Sequence, residues 1–166
     1  GVNDDEVLDV ARLGRERGIE IRFIEWMPLD GGGQWSSGAV VPASEIVAAI
    51  HAEWPLETLD GRAPGEAAPA ETYSYADGAG RVGVIASVTR SFCSTCDRIR
   101  LTAEGQLRNC LFANDELSVR GVLRGGGTDD ELARLFRQAV WTKLPGHGIN
   151  DPTFLRPARS MSMIGG

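Results

Sequence analysis

Lysine is nearly absent from this sequence: Lys143 is the only one, against sixteen arginines. A GC-rich coding bias is sufficient to explain this ratio, so the ratio by itself indicates no function. Positive charge is also in deficit, because the formal net charge is −6. This excludes a general nucleic-acid binder, whose affinity comes from summed positive charge. No apolar run approaches the roughly 20 residues of a membrane-spanning helix, and no signal peptide opens the chain. We therefore expect a cytoplasmic protein that binds neither nucleic acid nor membrane.

Cysteine is scarce as well, and all three cysteines fall within a short segment. Cys93, Cys96 and Cys110 are spaced C-x2-C-x13-C, which is typical of metal ligands in a reducing compartment rather than of a disulfide framework. Two thiolates three positions apart can bind one metal centre from a single tight turn. A turn at Glu104-Gly105 lets the chain return, so a hairpin can bring Cys110 to the same centre.

Three interpretations of the cysteines remain open. A disulfide between Cys93 and Cys96 would leave Cys110 as a free thiol. A structural zinc site has four protein ligands, so His51 or His147 would have to complete it. An iron–sulfur cubane normally takes four cysteines, and with three of them one iron is left open to bind a substrate atom. An open iron suits a cluster that binds a ligand better than a cluster that only carries electrons.

Arginines lie between the cysteines and suggest an anionic ligand. Alternation along a strand would put Arg98 and Arg100 on the same face, and Arg108 follows in the next strand. The planar guanidinium fork binds phosphate or carboxylate in bidentate fashion. The segment thus predicts a metal centre beside a pair of groups suited to a phosphate.

Hydrophobic periodicity predicts a helix followed by a strand at the start of the chain. Residues 3–17 carry a helical apolar stripe, with Gly18 as the stop signal. Residues 19–27, IEIRFIEWM, form a nearly continuous apolar run that is typical of a strand buried on both faces. Arg22 and Glu25 within it should each be paired or face a site. A helix followed by a buried strand is the αβ unit of a parallel sheet or barrel.

The remaining patterns predict helices and hairpins. Residues 42–54 predict a second helix, and residues 71–88 predict two strands joined by the hairpin signal DGAG. Because these strands lead directly into the cysteine segment, we predict one antiparallel sheet over residues 71–112 that ends at the metal site. A short helix over 116–124 and a longer one that begins with a T-x-x-E capping box at Thr128 complete the chain.

Five pieces of the sequence are similar to one known family. FCSTCDRIRLTAEGQLRNCLF resembles the C-terminal cluster motif of the GTP 3′,8-cyclase family of molybdenum-cofactor biosynthesis, whose members are radical S-adenosylmethionine (SAM) enzymes. The other pieces are GVNDDEV at the start, RFIEWMPLD at 22–30, TDDEL at 128–132 and the final Gly165-Gly166. They follow the family's order and span the chain. The family's CxxxCxxC motif, which binds the first cluster and SAM, does not occur here, so the chain resembles the C-terminal half.

This resemblance implies an α/β fold in two parts. Residues 1–35 would be the closing αβ unit of an incomplete radical-SAM (βα) barrel. Residues 36–166 would be the C-terminal extension, an α+β domain whose antiparallel sheet carries the second cluster. The missing N-terminal barrel half would be a partner of this chain and would cover its first strand, so we expect that strand to present a free sheet edge through which isolated chains associate.

The resemblance also implies which residues bind metal and substrate. Cys93, Cys96 and Cys110 match the ligands of the second [4Fe-4S] cluster, whose open iron binds the purine of GTP. Arg98 and Arg100 match positions that contact GTP. No residue of this chain matches a catalytic residue of the family.

Further positions match the family outside the cysteine segment. Met27 matches the methionine that packs on bound SAM, and Arg22 matches a position near the active site. Gly165 and Gly166 match a tail that threads into the active-site pocket, where glycine allows a close approach to ligand.

The implied function is the first step of molybdenum-cofactor (molybdopterin) biosynthesis. With SAM, the family converts GTP to 3′,8-cyclo-7,8-dihydro-GTP, a lyase reaction, as a homodimer whose product passes to cyclic pyranopterin monophosphate synthase. Without the first cluster, these 166 residues are expected to bind the second cluster and GTP, the latter weakly, and to be inactive alone. The alternative is a zinc-binding interaction module, with three cysteines and one histidine, that catalyses nothing.

Overall fold

The computed structural model describes residues 1–29, 33–59 and 69–164. The chain divides into two compact units, each with its own hydrophobic core. The first unit contains Gly1–Trp26 and Ser36–Phe92, and the second contains Met27–Trp35 and Cys93–Gly166. Each unit contains residues from both sides of the boundary between residues 35 and 36 that the family resemblance implies. That boundary stays a prediction.

The helices of the first unit follow the sequence pattern closely. After a 3-10 turn at Asp4–Glu6, helix α1 covers Val7–Arg17, and helix α2 covers Ala43–Glu53. Helix α1 ends at Gly18, whose φ of 64° lets its backbone N–H bond back to the last turn of the helix. This is the left-handed ending that glycine favours. Both predicted helices are therefore confirmed.

The first unit contains a mixed four-stranded sheet. Its order is β1-β4-β3-β2, with β1 parallel to β4 and the other pairs antiparallel. The strands are β1 (Ile21–Ile24), β2 (Leu56–Thr58), β3 (Glu71–Tyr75) and β4 (Arg81–Ile85). The hairpin predicted at DGAG joins β3 to β4, and the parallel pairing of β1 agrees with the predicted αβ unit. A closed barrel is not formed by the described strands and stays a prediction of the family resemblance.

The prediction that residues 19–27 form a strand buried on both faces was wrong. Strand β1 has only four residues and lies at the edge of the sheet, with half-buried and exposed residues in alternation. Ile19 and Ile24 keep 57% and 54% of their surface exposed. Only one face of β1 packs on the core, so the nearly continuous apolar sequence of this strand does not mean that both faces are buried. The predicted free edge is present in the described chain.

The core of the first unit lies between the two helices and one face of the sheet. Its buried side chains are contributed by α1, α2, β3 and β4 and by the residue after β4: Ala11, Ala43, Ile46, Ile50, Tyr75, Val82, Val84 and Ala86. Arg15 lies against the rings of Trp54 and Tyr75, at 5.0 and 4.3 Å from their centroids, and pairs with Asp77 at 2.6 Å. Its guanidinium thus covers the aromatic end of this core.

The second unit combines a small antiparallel sheet with two helices. The sheet order is β5-β6-β7. Its elements are β5 (Arg100–Leu101), β6 (Gln106–Arg108), β7 (Leu117–Ser118), α3 (Val119–Arg124) and α4 (Asp129–Trp141). Leu107, Val119 and Ala139 form the buried centre, where α4 packs on β6. The capping box predicted at Thr128 is formed, because Thr128 and Glu131 bond each other's backbone N–H groups.

The predicted single sheet over residues 71–112 was also wrong. Strands β3 and β4 belong to the first sheet, whereas β5 and β6 belong to the second. After β4 the chain turns, and the N–H groups of Val88 and Thr89 donate to the buried carboxylate of Glu25, at 2.7 and 2.8 Å, instead of to a strand. Among the residues that the structure describes, no helix combines the length and apolar character that a membrane span requires.

Candidate metal centre

The first two cysteines lie in a single tight turn, as their spacing predicts. Residues Cys93–Thr95 form a 3-10 turn, and the backbone N–H of Cys96 donates to the carbonyl of Cys93 at 3.2 Å. Both side chains are half-buried and both thiols are free. The disulfide interpretation of this pair is therefore not supported by the structure.

A tight hairpin brings the third cysteine back to the first two. Gly105, at φ 78°, allows the turn between β5 and β6, where its N–H donates to the carbonyl of Thr102 at 2.9 Å. Cys110 follows the end of β6 by two residues. Cys93, Cys96 and Cys110 all line one cavity of about 690 Å³ within the second unit. The three cysteines thus line the same cavity, and their role as ligands of one metal centre stays a prediction.

The three cysteine thiols of this cavity are the donor type that holds iron–sulfur clusters. Within the described residues, no three His, Cys, Asp or Glu side chains come together tightly enough to hold one metal ion. The thiolates of a cubane need not meet around one point, because each binds a different iron. The N–H of Phe112 donates to Sγ of Cys110 at 3.5 Å, and such bonds tune clusters held by thiolates.

The thiol of Cys96 lies in a cationic environment. Burial tends to raise its pKa, but hydrogen bonds from the side chain and backbone of Arg98, with the positive charges of Arg98 and Lys143, lower the pKa below its usual range. The ammonium of Lys143 lies 3.8 Å from Sγ of Cys96. Because the thiolate is the form that binds metal, these cations favour the form a metal centre requires.

The two histidines considered as zinc ligands differ in position. His147 lines the same cavity as the cysteines; its Nδ1 accepts the N–H of Ile149 at 3.1 Å, and its ring packs on Phe112. His51 lies in the first unit, where its Nδ1 accepts the N–H of Leu56 at 3.0 Å. If a histidine takes part in this centre, the cavity favours His147.

The predicted substrate arginines do not share a strand face. Strand β5 begins at Arg100, so Arg98 precedes it, and the alternation used to pair the two side chains does not apply. Arg98 is exposed and Arg100 half-buried. Neither contributes to the described lining of the 690 Å³ cavity. Arg98 instead bonds the thiol of Cys96, and Arg100 pairs in register with Arg108.

The single lysine belongs to this site, although the sequence did not indicate it. Lys143 lines the cavity and donates to the carbonyls of Arg98 and Asn109, at 2.8 and 2.6 Å, besides Cys96. The one sign of its importance in the sequence is that it is the single lysine of an arginine-rich chain. A coding bias is sufficient to explain that ratio, so the ratio did not identify a site residue. Separation along the sequence hid the contact, since β7, α3 and α4 intervene between Cys110 and Lys143.

The other predicted site residues lie outside this cavity's lining. Met27 is half-buried in the second unit, and its carbonyl accepts the N–H of Leu29 at 2.8 Å. Arg22 is exposed on β1 and pairs with Glu20 at 2.7 Å. Gly165 and Gly166 lie outside the described residues. The roles of all four stay predictions.

Comparisons with known proteins match nearly the whole chain to one family. The pattern of the family described as Molybdenum Cofactor Synthesis C matches residues 19–149. The chain is 48% identical to the GTP 3′,8-cyclase of Streptomyces coelicolor over 100% of its own length and 48% of that relative. It is 46% identical to the GTP 3′,8-cyclase of Mycolicibacterium smegmatis, over 98% of the chain and 45% of the relative.

A further relative is the GTP 3′,8-cyclase 2 of Mycobacterium tuberculosis, which is 46% identical over 98% of the chain and 46% of the relative. These matches define a molybdenum-cofactor synthesis domain. The chain belongs to the GTP 3′,8-cyclase family and corresponds to the C-terminal part of its members. It spans about half the length of the curated relatives it matches.

Proposed function

We propose that this chain forms the part of a GTP 3′,8-cyclase that holds the second [4Fe-4S] cluster and GTP. The observation that carries the proposal is the convergence of Cys93, Cys96 and Cys110 as free, half-buried thiols on one cavity. Membership of the family supports the same conclusion. The reaction of the whole protein would convert GTP to 3′,8-cyclo-7,8-dihydro-GTP with SAM.

The three cysteines would hold the cluster, and the residues around them would stabilise it. When bound, the cluster would supply an open iron to which the purine of GTP binds. The N–H of Phe112 and the ammonium of Lys143 point at Sγ of Cys110 and of Cys96. Charge-assisted hydrogen bonds of this kind stabilise thiolates and so retain the metal centre.

The substrate would be oriented by cations and by aromatic rings. Arg98 and Arg100 carry the planar forks suited to the triphosphate, and they lie between the two cysteine segments. Phe112 and Phe154 line the cavity, with ring centroids 6.3 Å apart. Nucleobases stack favourably on such rings, so this wall provides an apolar surface for the purine.

The remaining contacts are proposed from the family resemblance. Met27 would pack on SAM, Arg22 would lie near the active site, and Gly165-Gly166 would enter the pocket. The N-terminal barrel half would supply SAM and the first cluster, the whole protein would form a homodimer, and the product would pass to cyclic pyranopterin monophosphate synthase.

The decisive experiment measures metal content. The chain is purified without oxygen, reconstituted with iron and sulfide, and analysed for iron, sulfide, zinc and visible absorbance. We expect about four irons and four sulfides per chain with a broad brown band. Cys93→Ser, Cys96→Ser and Cys110→Ser should each lose most of this iron, whereas the control Ser94→Ala in the same turn should keep it. One zinc without colour would overturn the proposal in favour of the zinc module.

Substrate binding is tested on the reconstituted chain by thermal unfolding with GTP. A specific ligand raises the melting temperature because it stabilises only the folded state. Arg98→Met and Arg100→Met should reduce the shift, whereas Arg137→Met, an exposed arginine of α4, should not. An equal shift in all four proteins would contradict the assignment of these arginines.

Catalysis by the 166 residues alone is not expected. They contain no CxxxCxxC motif, so nothing in them would hold the first cluster that cleaves SAM. We expect no cyclised product when the chain is incubated with SAM, GTP and reductant and the mixture is analysed by mass spectrometry. Detection of that product would refute this part of the proposal.

A further inference from the structure

Lys143 joins the two chain segments that carry the cysteines. Its ammonium donates to the carbonyl of Arg98 at 2.8 Å, two residues after Cys96, and to the carbonyl of Asn109 at 2.6 Å, directly before Cys110. Nζ of Lys143 also lies 3.8 Å from Sγ of Cys96, within reach of a weak hydrogen bond. A lysine ammonium has three donors and no acceptor, and all three are used here.

The end of helix α4 holds the Cys110 segment from a second direction. The side-chain amide of Asn109 donates to the carbonyl and to the hydroxyl of Thr142, at 3.1 and 3.2 Å. Asn109 is thus bound through its side chain by Thr142 and through its carbonyl by Lys143. Thr142 caps the C-terminal end of α4 and Lys143 follows it, and the N–H groups of both still bond to helix carbonyls, so the helix end fixes their positions.

We propose that Lys143 is a positioning residue of the three-thiol site, which fixes the Cys96 and Cys110 segments relative to each other. The β5–β6 hairpin also joins these segments, but its strands are only two and three residues long. The helix end provides a rigid support that the short hairpin lacks. As far as it concerns a metal centre, this inference rests on the proposed function.

The geometry favours lysine over arginine at this position. The three acceptors belong to residues 96, 98 and 109. An ammonium is a compact charge with rotatable donors, whereas a guanidinium presents its donors in one plane and lacks a single point charge. Lys143→Arg therefore keeps the charge but not the three bonds. This separates the positioning role from a general need for positive charge.

The first test uses the metal-free chain and does not depend on the cluster. The variants are Lys143→Met and Lys143→Arg, and the control is Arg137→Met, which removes an exposed cation from α4, the helix that precedes Lys143. Amide hydrogen exchange is followed in residues 109–113, where the N–H of Ala113 bonds to the carbonyl of Cys110 at 3.2 Å. We expect exchange there to be about tenfold faster in both Lys143 variants, because charged hydrogen bonds that resist local opening are lost.

The second test uses the chain loaded with iron and sulfide. We expect iron to be lost to a chelator about tenfold faster in both Lys143 variants than in the wild type or Arg137→Met. The visible circular dichroism of the loaded variants should also change, because the N–H···S contact to Cys96 is missing. A purely structural role elsewhere in the fold would leave this spectrum unchanged at full iron occupancy.

The possible failures are distinguishable. Wild-type exchange rates in residues 109–113 of both Lys143 variants would overturn the positioning role. If the wild-type chain takes up no iron, the proposed function fails, while the exchange measurement on the metal-free chain still decides the role of Lys143. Should Lys143→Met not fold, as judged by far-ultraviolet circular dichroism, Lys143→Arg carries the test because it retains the charge and the long stem.

Discussion

Arg108 and Glu116 form an ion pair of 2.6 Å beside the turn that carries Cys110, and the side chain of Arg108 is only 2% exposed. The guanidinium also donates to the carbonyl of Ala113, whereas its Nε has no partner among the described residues. A buried cation is costly unless it is paired. The turn between β6 and β7 therefore depends on the carboxylate of Glu116.

Glu116→Gln should destabilise the second unit strongly. The amide keeps the size of the carboxylate but leaves the buried guanidinium of Arg108 without its counter-charge. We expect a loss of about 2–4 kcal/mol in the free energy of unfolding, measured as a lower urea midpoint. The double variant Arg108→Met/Glu116→Leu, which removes both charges, should lose less than Glu116→Gln. A double variant that is the less stable of the two would contradict this account.

Arg159→Met should release the C-terminal segment. The guanidinium of Arg159 pairs with Glu104, in the turn between β5 and β6, and with Glu116, just before β7, each at 2.9 Å. These pairs hold the segment that precedes the last 3-10 turn, Met161–Met163. Because the side chain is 24% exposed, we expect a modest loss of about 1 kcal/mol in overall stability. Hydrogen exchange or limited proteolysis in residues 155–164 should increase much more.

The control for Arg159 is Arg134→Met. Arg134 is 69% exposed, and its pair with Glu131 is 3.9 Å long, so its removal should change stability by no more than about 0.5 kcal/mol. If proteolysis near the C-terminus is the same in the Arg159 and Arg134 variants, Arg159 does not hold that segment.

Features that depend on neighbouring residues could be predicted from the sequence. The capping box at Thr128, the glycine end of α1 and the hairpin between β3 and β4 each follow from residues within a few positions of one another. The C-x2-C turn and the tight hairpin that leads back towards Cys110 belong to the same group.

Features that depend on distant residues could not be predicted. The segment after β4 is held by Glu25, far away in the sequence, which binds the N–H groups of Val88 and Thr89. Lys143 joins the cysteine segments only after α4 has formed and packed on β6. The continuous apolar run at residues 19–27 resembles a central strand, but burial on one face or both is decided by what covers it. Sequence periodicity does not contain that information.

Gly14→Ala should destabilise the first unit, although alanine is normally the better helix former. A Cβ at residue 14 would lie 2.5 Å from Cγ1 of Ile21 and 2.9 Å from the carbonyl oxygen of Ile19. The close approach of α1 to β1 therefore requires glycine. We expect a loss of about 1–3 kcal/mol, visible as a lower urea midpoint. The control Gly146→Ala, where a Cβ meets no atom within 4 Å, should leave the midpoint unchanged, and equal midpoints in the two variants would contradict the packing argument.

Glu25 should make the first unit less stable at low pH. Its side chain is buried, which tends to raise its pKa, but bonds from the hydroxyl and N–H of Thr89 and from the N–H groups of Ala43 and Val88 outweigh burial and lower the pKa below the ordinary 4.5. A carboxylate with a lowered folded pKa contributes its full stability above its unfolded pKa. That contribution is lost as the pH falls through the folded value.

Glu25→Gln isolates this contribution because the amide cannot accept every bond and does not titrate. At pH 7 we expect the variant to be about 2–4 kcal/mol less stable than the wild type, whereas Glu53→Gln, at an exposed position of α2, should resemble the wild type. Urea midpoints are measured from pH 7 to pH 3. The difference between wild type and Glu25→Gln should stay constant above about pH 5 and narrow below about pH 4.5. A difference that is the same at pH 3 as at pH 7 would mean that the bonds to Glu25 do not require its charge.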